Sequence, residues 1–376
     1  MEGSYLLNSE HAESLCEQIS NTVNGRAISL AEGESACDKR NLYRVLLTED
    51  GKKLLSYAAT DAHFLSENYS DYENFVELLH LLPSLVGSGY HSFVRLFLEH
   101  LLDLNEPPTP RDAEMLWNAS IPLLRDGTFY RLLEPFSKKS TENITRWFFP
   151  SADLLQSYED FDAYLSAYRE RVERADLLWL NLSTFEFVSP DPYHAEKGFS
   201  AIRNEKGNEQ DRSFFASQLL RVTGEICKAR NVPLIFSGKP SFIQVKKLFV
   251  YLEKVDRMPR VYYAVPFDCS TRLGEILSEL KVSGILSSLN GIVPTGLSVS
   301  SSDSIDACLS LLAMHYPFGR LSFIAESKTD VEMRFEYERF LRMIASRLSA
   351  AVLRGELSDA DAVTVGTNIL ASAALF

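Results

Sequence analysis

The stretch Arg320-Leu321-Ser322-Phe323-Ile324-Ala325-Glu326-Ser327-Lys328 runs directly into Thr329-Asp330-Val331-Glu332 and a long amphipathic segment. Leu321, Phe323 and Ile324 give the apolar run of a strand buried on both faces, and Thr329-x-x-Glu332 is a capping box that starts a helix where the run ends. Met333, Tyr337, Phe340, Leu341, Ile344, Leu348 and Val352 then recur at three- and four-residue spacing until Gly355, and Ser358 with Asp361 opens a second helix. A strand that passes straight into a helix is half of a βα unit. Groups just beyond the strand's carboxyl end of such a unit face the ligand crevice, so Glu326 and Lys328 are the first candidates for catalysis. A surface ion pair on a connecting loop accounts for the same two residues.

The same alternation extends backwards over some 200 residues. Apolar runs predict strands at 144–149, 177–182, 233–236, 261–265, 292–297 or the neighbouring 285–289, and 321–324. Helical patterns fall between them at 158–174, 212–228, 242–251, 271–280 and 304–314. With a short strand at 27–30 the count is seven, and an eighth would have to lie at 136–143, which is polar and short. The expected fold is therefore α/β, a (β/α)8-type barrel, incomplete or irregular at that point, with a helical insertion. Residues 1–40 would carry an N-terminal helix (Ala12, Leu15, Cys16 and Ile19 on one face) and the first strand. Residues 41–135 would form a helical insertion subdomain with Met115, Leu116 and Trp117 in its core, and 136–376 the rest of the barrel with its C-terminal helices. The polar stretch 190–210 reads as a loop at the barrel rim that could bring His194 to the mouth.

Composition narrows the class. Of 376 residues, 45% are apolar and 24% charged, enough to bury a sizeable core. A net charge of −13 and a pI near 5.1 argue against nucleic acid or an anionic membrane as partner. Five widely spaced cysteines (Cys16, Cys37, Cys227, Cys269, Cys308) suit reduced thiols, and the opening Met1-Glu2-Gly3-Ser4 lacks the regions of a signal peptide. A cytoplasmic chain is the expectation, and assembly into a homo-oligomer is left open.

Common catalytic signatures are missing: no Gly-rich phosphate loop, Gly-x-Ser-x-Gly elbow, His-Glu-x-x-His or zinc-spaced Cys/His pair occurs. Barrel sites gather single residues from strand ends instead. Those candidates are Glu32 and Glu34, Asn181 and Ser183, Ser237 and Lys239, Asp268, Ser298, and Glu326 with Lys328. Of these, Glu32, Asn181, Lys239 and Ser298 are placed to bind substrate. Carboxylates alone can hold Mg²⁺ or Mn²⁺, and a Glu beside a Lys can move protons, while a solvated rim explains the same residues.

The closing segment Ala325-Glu326-Ser327-Lys328, followed by Arg334-Phe335-Glu336-Tyr337-Glu338-Arg339, resembles the end of the uronate (glucuronate) isomerases, where Thr-Asp-Ser-Arg precedes Arg-His-Glu-Tyr-x-Arg. Asp71-Tyr72-Glu73-Asn74-Phe75 and the Tyr90-His91 segment are similar to that family's helical insertion. The resemblance implies an amidohydrolase-type barrel acting in aldose–ketose isomerisation of sugar acids. It also implies what has been lost. Where family members carry a metal-binding His-x-His this chain has Ala31-Glu32-Gly33; their His-Tyr pair corresponds to Asp50-Gly51, and their Gly-x-Trp-Trp to Gly296-Leu297-Ser298-Val299. The final acid persists as Glu326, and the following arginine becomes Lys328, which loses a bidentate grip on a carboxylate. The expectation is a pseudoenzyme: a barrel without a cofactor that binds a small sugar acid or serves regulation or assembly. The alternative is an isomerase with a rebuilt carboxylate/lysine site, metal-free or with a weakly bound divalent metal.

Overall fold

A computed structural model describes residues 10–23, 25–29, 41–58, 69–102, 104, 107–125, 136, 141–184, 186–239, 241–268, 270–297, 300–315, 317–326 and 329–372. Seven strands are assigned among them: β1 (Ile28–Ser29), β2 (Thr141–Asn143), β3 (Leu177–Asn181), β4 (Leu234–Ser237), β5 (Val261–Pro266), β6 (Gly291–Thr295) and β7 (Ile324–Ala325). Every pairing is parallel, in the orders β2-β3-β4-β5-β6 and β1-β7. A bridge from Ile292 to Leu321 links the two sheets, and on the far side of β1 Ala27 bridges Phe136. Adjacent parallel strands need a crossover of about a dozen residues. Phe136 and Thr141 are five positions apart, so they are not two neighbouring staves. Residues 137–140, between them, lie outside the described residues.

The helices between strands form where the apolar spacing predicts, with local caps. Asp160 starts Phe161–Arg174, Asn208 and Asp211 form a capping box for Glu209–Arg230, and Asn231 ends that helix in the left-handed region at φ +57°. The helix Asp330–Leu353 begins at Thr329, whose hydroxyl accepts the Glu332 N–H at 3.2 Å.

Four local expectations differ from the structure. Residues 144–149 are not a strand. Asn143 Oδ1 accepts the Thr145 N–H and turns the chain into a short helix, Thr145–Phe148, whose Trp147 and Phe148 are buried against Tyr164 and Tyr168. The strand lies just before it, where the polar Thr141–Asn143 pairs with β3 through backbone alone. The stretch 190–210 is mostly helix, Pro192–Arg203: Asp191 caps it, Pro192 opens it, and Ala195, Phe199 and Ile202 bury one face. His194 therefore stacks on Phe214 (4.8 Å between centroids) and sits 3.1 Å from Asp191. Met115 is 54% exposed on the helix Ala113–Arg125, whose core side is Leu116, Ser120 and Leu124. The alternative strand at 285–289 is a 3-10 turn, Leu286–Ser288.

Burial divides into three bodies. Ile28, Leu177, Trp179, Ile235, Tyr262, Ala264, Val293 and Ile324 form a cluster contributed by strands alone, on the inner side of the sheet. The opposite side of the same strands, including Leu180, Leu234 and Val261, packs against the surrounding helices, as does Phe323 just before β7. Helices from Leu42 to Arg125 bury a separate cluster around Phe75, Leu78, Phe93 and Leu116, which reaches the barrel through Val331 and Phe335. No helix among the described residues is long and apolar enough to cross a membrane.

Leu180 and Phe323 have no exposed surface. Leu180→Ala and Phe323→Ala should each cost about 2–5 kcal/mol, measured by urea unfolding. Losses below about 1 kcal/mol at both would mean that these strands do not carry the core.

Candidate functional site

Side chains alternate along a strand, so each inner row can be followed upward from the apolar cluster. Leu177 and Trp179 lead to Asn181 on β3, Ile235 to Ser237 on β4, Tyr262 and Ala264 to Pro266 on β5, Val293 to Thr295 on β6, and Ile324 to Glu326 just past β7. Asn143 of β2, paired in register with Trp179, belongs to the same side. The carboxyl ends of the strands thus carry two amides, two hydroxyls and one carboxyl above an apolar floor. Trp179 joins floor to rim, its indole N–H donating to Ser237 Oγ at 2.9 Å.

Glu326 is the ionisable member of this row. Its carboxyl accepts the Gly296 N–H at 2.9 Å, and its own backbone N–H donates to Glu336 Oε2, also at 2.9 Å. Burial pushes the Glu326 carboxyl up to about 7; the Gly296 hydrogen bond favours the anion but does not outweigh the lost hydration. Gly296 sits at φ +71°, a conformation that suits glycine, and this aims its N–H at the carboxyl. Behind it Arg339, fully buried, donates to the Leu297 carbonyl at 3.1 Å and lies over the Phe335 ring. Burial lowers the guanidinium to about 10, which leaves it cationic at neutral pH.

A second polar group forms where β3 and β4 end. Asn181 Oδ1 accepts both the backbone N–H (2.9 Å) and the hydroxyl (2.7 Å) of Ser183, and the Asn181 N–H donates to Thr145 Oγ1 at 2.9 Å. Gly238, at φ +90°, lies so close to Asn181 Oδ1 and Ser183 Oγ that a Cβ there would collide with both. Lys239 is not brought to the mouth by its side chain. Its ammonium is half-exposed and lies 3.5 Å from Glu275 on the helix Ser270–Ser283, while its backbone N–H donates to Ser183 Oγ at 3.4 Å. Of the other candidates, Glu32, Glu34, Ser298 and Lys328 lie outside the described residues.

Asn143, Thr295, Gly296, Glu336 and Arg339 were not singled out as site residues from the sequence. Counting forward in twos from Val293 reaches Thr295. Nothing in the spacing marks Glu336 and Arg339 as inward-facing.

The implied metal can be tested on the donor set. Among the described residues no group of three or more His, Cys, Asp or Glu is placed to share a cation. Glu326, the carboxyl of the described row, has one oxygen engaged by Gly296 and is drawn towards its neutral form. At the positions matching the family's two imidazoles stand Ala31 and Gly33. A firmly held divalent metal draws on imidazole, thiolate or several ionised carboxylates, and the described row offers one carboxyl.

Compared with solved structures, the chain is similar to uronate isomerase from Thermotoga maritima, with TM-score 0.78 at 12% identity over 99% of each chain. It is similar to glucuronate isomerase from Caulobacter crescentus as well, at TM-score 0.74 and 11% identity over 100% of this chain and 96% of that one. The fold is that of the uronate isomerases. A Lactobacillus casei protein assigned as a metal-dependent hydrolase superimposes more loosely, at TM-score 0.53 and 13% identity over 96% of each chain. No family model matches the sequence, and no curated protein does. The uronate isomerase fold is thus held here by a sequence that shares about one residue in eight with its structural neighbours.

Folding draws Glu326 from an ordinary 4.5 to about 7, so between those values the folded chain keeps a proton that the unfolded chain releases. The stability this gives is fully present below about pH 4.5 and is lost as pH rises through 7. Glu326→Gln, neutral throughout, should remove that loss. The fall in unfolding free energy from pH 5 to pH 8 should shrink by roughly 2–3 kcal/mol relative to the parent. Equal falls in the two proteins would make Glu326 an ordinary solvated carboxylate.

Proposed function

We propose that this chain is a non-catalytic binding protein on the uronate isomerase fold, taking a small sugar acid at the barrel mouth. The observation that carries this reading is the row Asn143, Asn181, Ser237, Thr295 and Glu326 above the apolar floor. Amides and hydroxyls both donate and accept, which suits the hydroxyls of a sugar. A neutral Glu326 can donate to the carboxylate of a sugar acid, and Lys328 is the cation next in sequence. The names of the structural neighbours point to uronates as the ligand class. Loss of the His-x-His pair supports binding without turnover, because the polarisation that an imidazole-held metal supplies has no counterpart in the described donor set.

One observation favours a second reading. A carboxyl near 7 at the mouth is poised to take and return a proton at neutral pH, the step that aldose–ketose isomerisation requires between adjacent carbons. In that case Glu326 would be the acid–base group, and Lys328, two positions on in sequence, the candidate for the second charge.

Calorimetric titration with glucuronate and galacturonate, with and without a chelator, separates these readings when paired with an assay for the ketose product. Binding unaffected by chelator, weakened at least tenfold by Glu326→Ala and accompanied by no turnover, is the expected outcome. Turnover abolished by Glu326→Gln would replace the binder by an isomerase. About one Zn²⁺ or Mn²⁺ per chain, lost in Glu326→Ala, would restore a metal-dependent site.

A further inference from the structure

Glu336 and Arg339 stand three residues apart on the helix Asp330–Leu353, hence on one face. Both are buried, at 2% and 0% exposure. Each spends hydrogen-bonding capacity on loop backbone at the barrel mouth. The Glu336 carboxylate accepts the N–H of Glu326, and the Arg339 guanidinium donates to the carbonyl of Leu297. Between these two anchors the Gly296 N–H reaches the Glu326 carboxyl. The circuit closes on itself, from the helix through Glu326 to Gly296 and Leu297, and back to the helix through Arg339. The Gly296 carbonyl is also occupied, by the N–H and hydroxyl of Ser300.

We infer that Glu336 and Arg339 are positioning residues that hold Glu326 at the mouth by bracing the segments after β6 and β7 against one helix. The inference rests on Glu326 being the working group of the mouth, as proposed above. Packing alone does not call for these two side chains, since apolar residues of similar volume avoid the cost of taking two charges out of water. Apolar residues cannot, however, grip a backbone N–H and a backbone carbonyl on two different segments and so fix the distance between them. If either grip is released, the Gly296 N–H and the Glu326 carboxyl are no longer held in register, and the amide of Gly296 reports it.

The sequence offers a clean probe. Thr-Gly steps occur at Thr223-Gly224 and Thr295-Gly296, so labelling carbonyl carbon in threonine and nitrogen in glycine isolates two amides in the intact protein. Gly224, inside the helix Glu209–Arg230, is the internal control. The Gly296 amide should shift with pH, with a midpoint near 7, and lose that response in Glu326→Gln. Arg339→Met and Glu336→Ala should lose it too while Gly224 stays in place, and Glu336→Gln, whose amide oxygen can accept the same N–H, should keep it. An unchanged Gly296 response in both Arg339→Met and Glu336→Ala overturns the inference, as does a Glu336→Gln variant that loses as much as Glu336→Ala. Should either of the first two variants fail to fold, Arg339→Lys is compared with Glu336→Gln. A response weakened in the lysine variant and kept in the glutamine variant upholds the brace, and equal responses overturn it. No ligand enters this readout. Adding glucuronate to the same sample tests the proposed function separately, and an intact Gly296 response with no binding would remove that function and leave the brace.

Discussion

Alternation of side chains along parallel strands sets what this barrel can do. At the lower inner positions it places Ile28, Leu177, Trp179, Ile235, Tyr262, Ala264, Val293 and Ile324, which fill the interior among themselves. One step further along these rows Asn181, Ser237, Thr295 and Glu326 are polar, Pro266 of β5 being the exception, and there the strands stop. The strand ends therefore hold hydrogen-bonding groups directly above an apolar floor. Burial beside that floor is what makes Glu326 hold its proton, so the chemistry of the rim follows from the packing beneath it.

The helical layers serve the same rim from behind. The segment that follows β7 turns at Thr329 into a helix whose outer stripe builds the core and whose Glu336 and Arg339 reach back to the strand ends. A βα unit usually lends its loop to a site; here the helix lends buried charge to the loop. Gly296 takes a positive φ that favours glycine, and Gly238, also at positive φ, permits the close approach of Asn181 and Ser183.

Much of the fold was legible because its signal is local. The apolar runs at Leu177, Leu234 and Val261 and the stripe from Met333 to Val352 are what buried strands and an amphipathic helix require, and they lie where expected. The errors came where two periods share one composition. Trp147 and Phe148 are apolar enough for a strand, yet the polar Thr141–Asn143 carries the ladder, because backbone pairing makes no demand on side chains. The polar stretch after Pro190 hid a helix, since Ala195, Phe199 and Ile202 provide a narrow stripe among charges. At the site, Glu326 and Asn181 could be placed from the strand-to-helix step and the strand end. The turning of Lys239 towards Glu275 and the burial of Arg339 depend on which helix stands behind each loop, and sequence spacing does not encode that.

His11 bonds to Ser349 and to Asp359, partners 338 and 348 positions away, and the helix Glu10–Val23 buries Ala12, Leu15, Ile19 and Val23 against the last two helices. Ribosomes add about 5–20 residues per second, so this first helix waits roughly 20–70 s for the surface that covers it. Throughout that interval the stripe Ala12, Leu15, Ile19 and Val23 lacks the two helices that cover it in the folded protein. The contact between Glu10–Val23 and Asp359–Leu370 therefore forms only after some 350 residues have been added between its two halves, which makes docking of this helix a late, long-range step of folding.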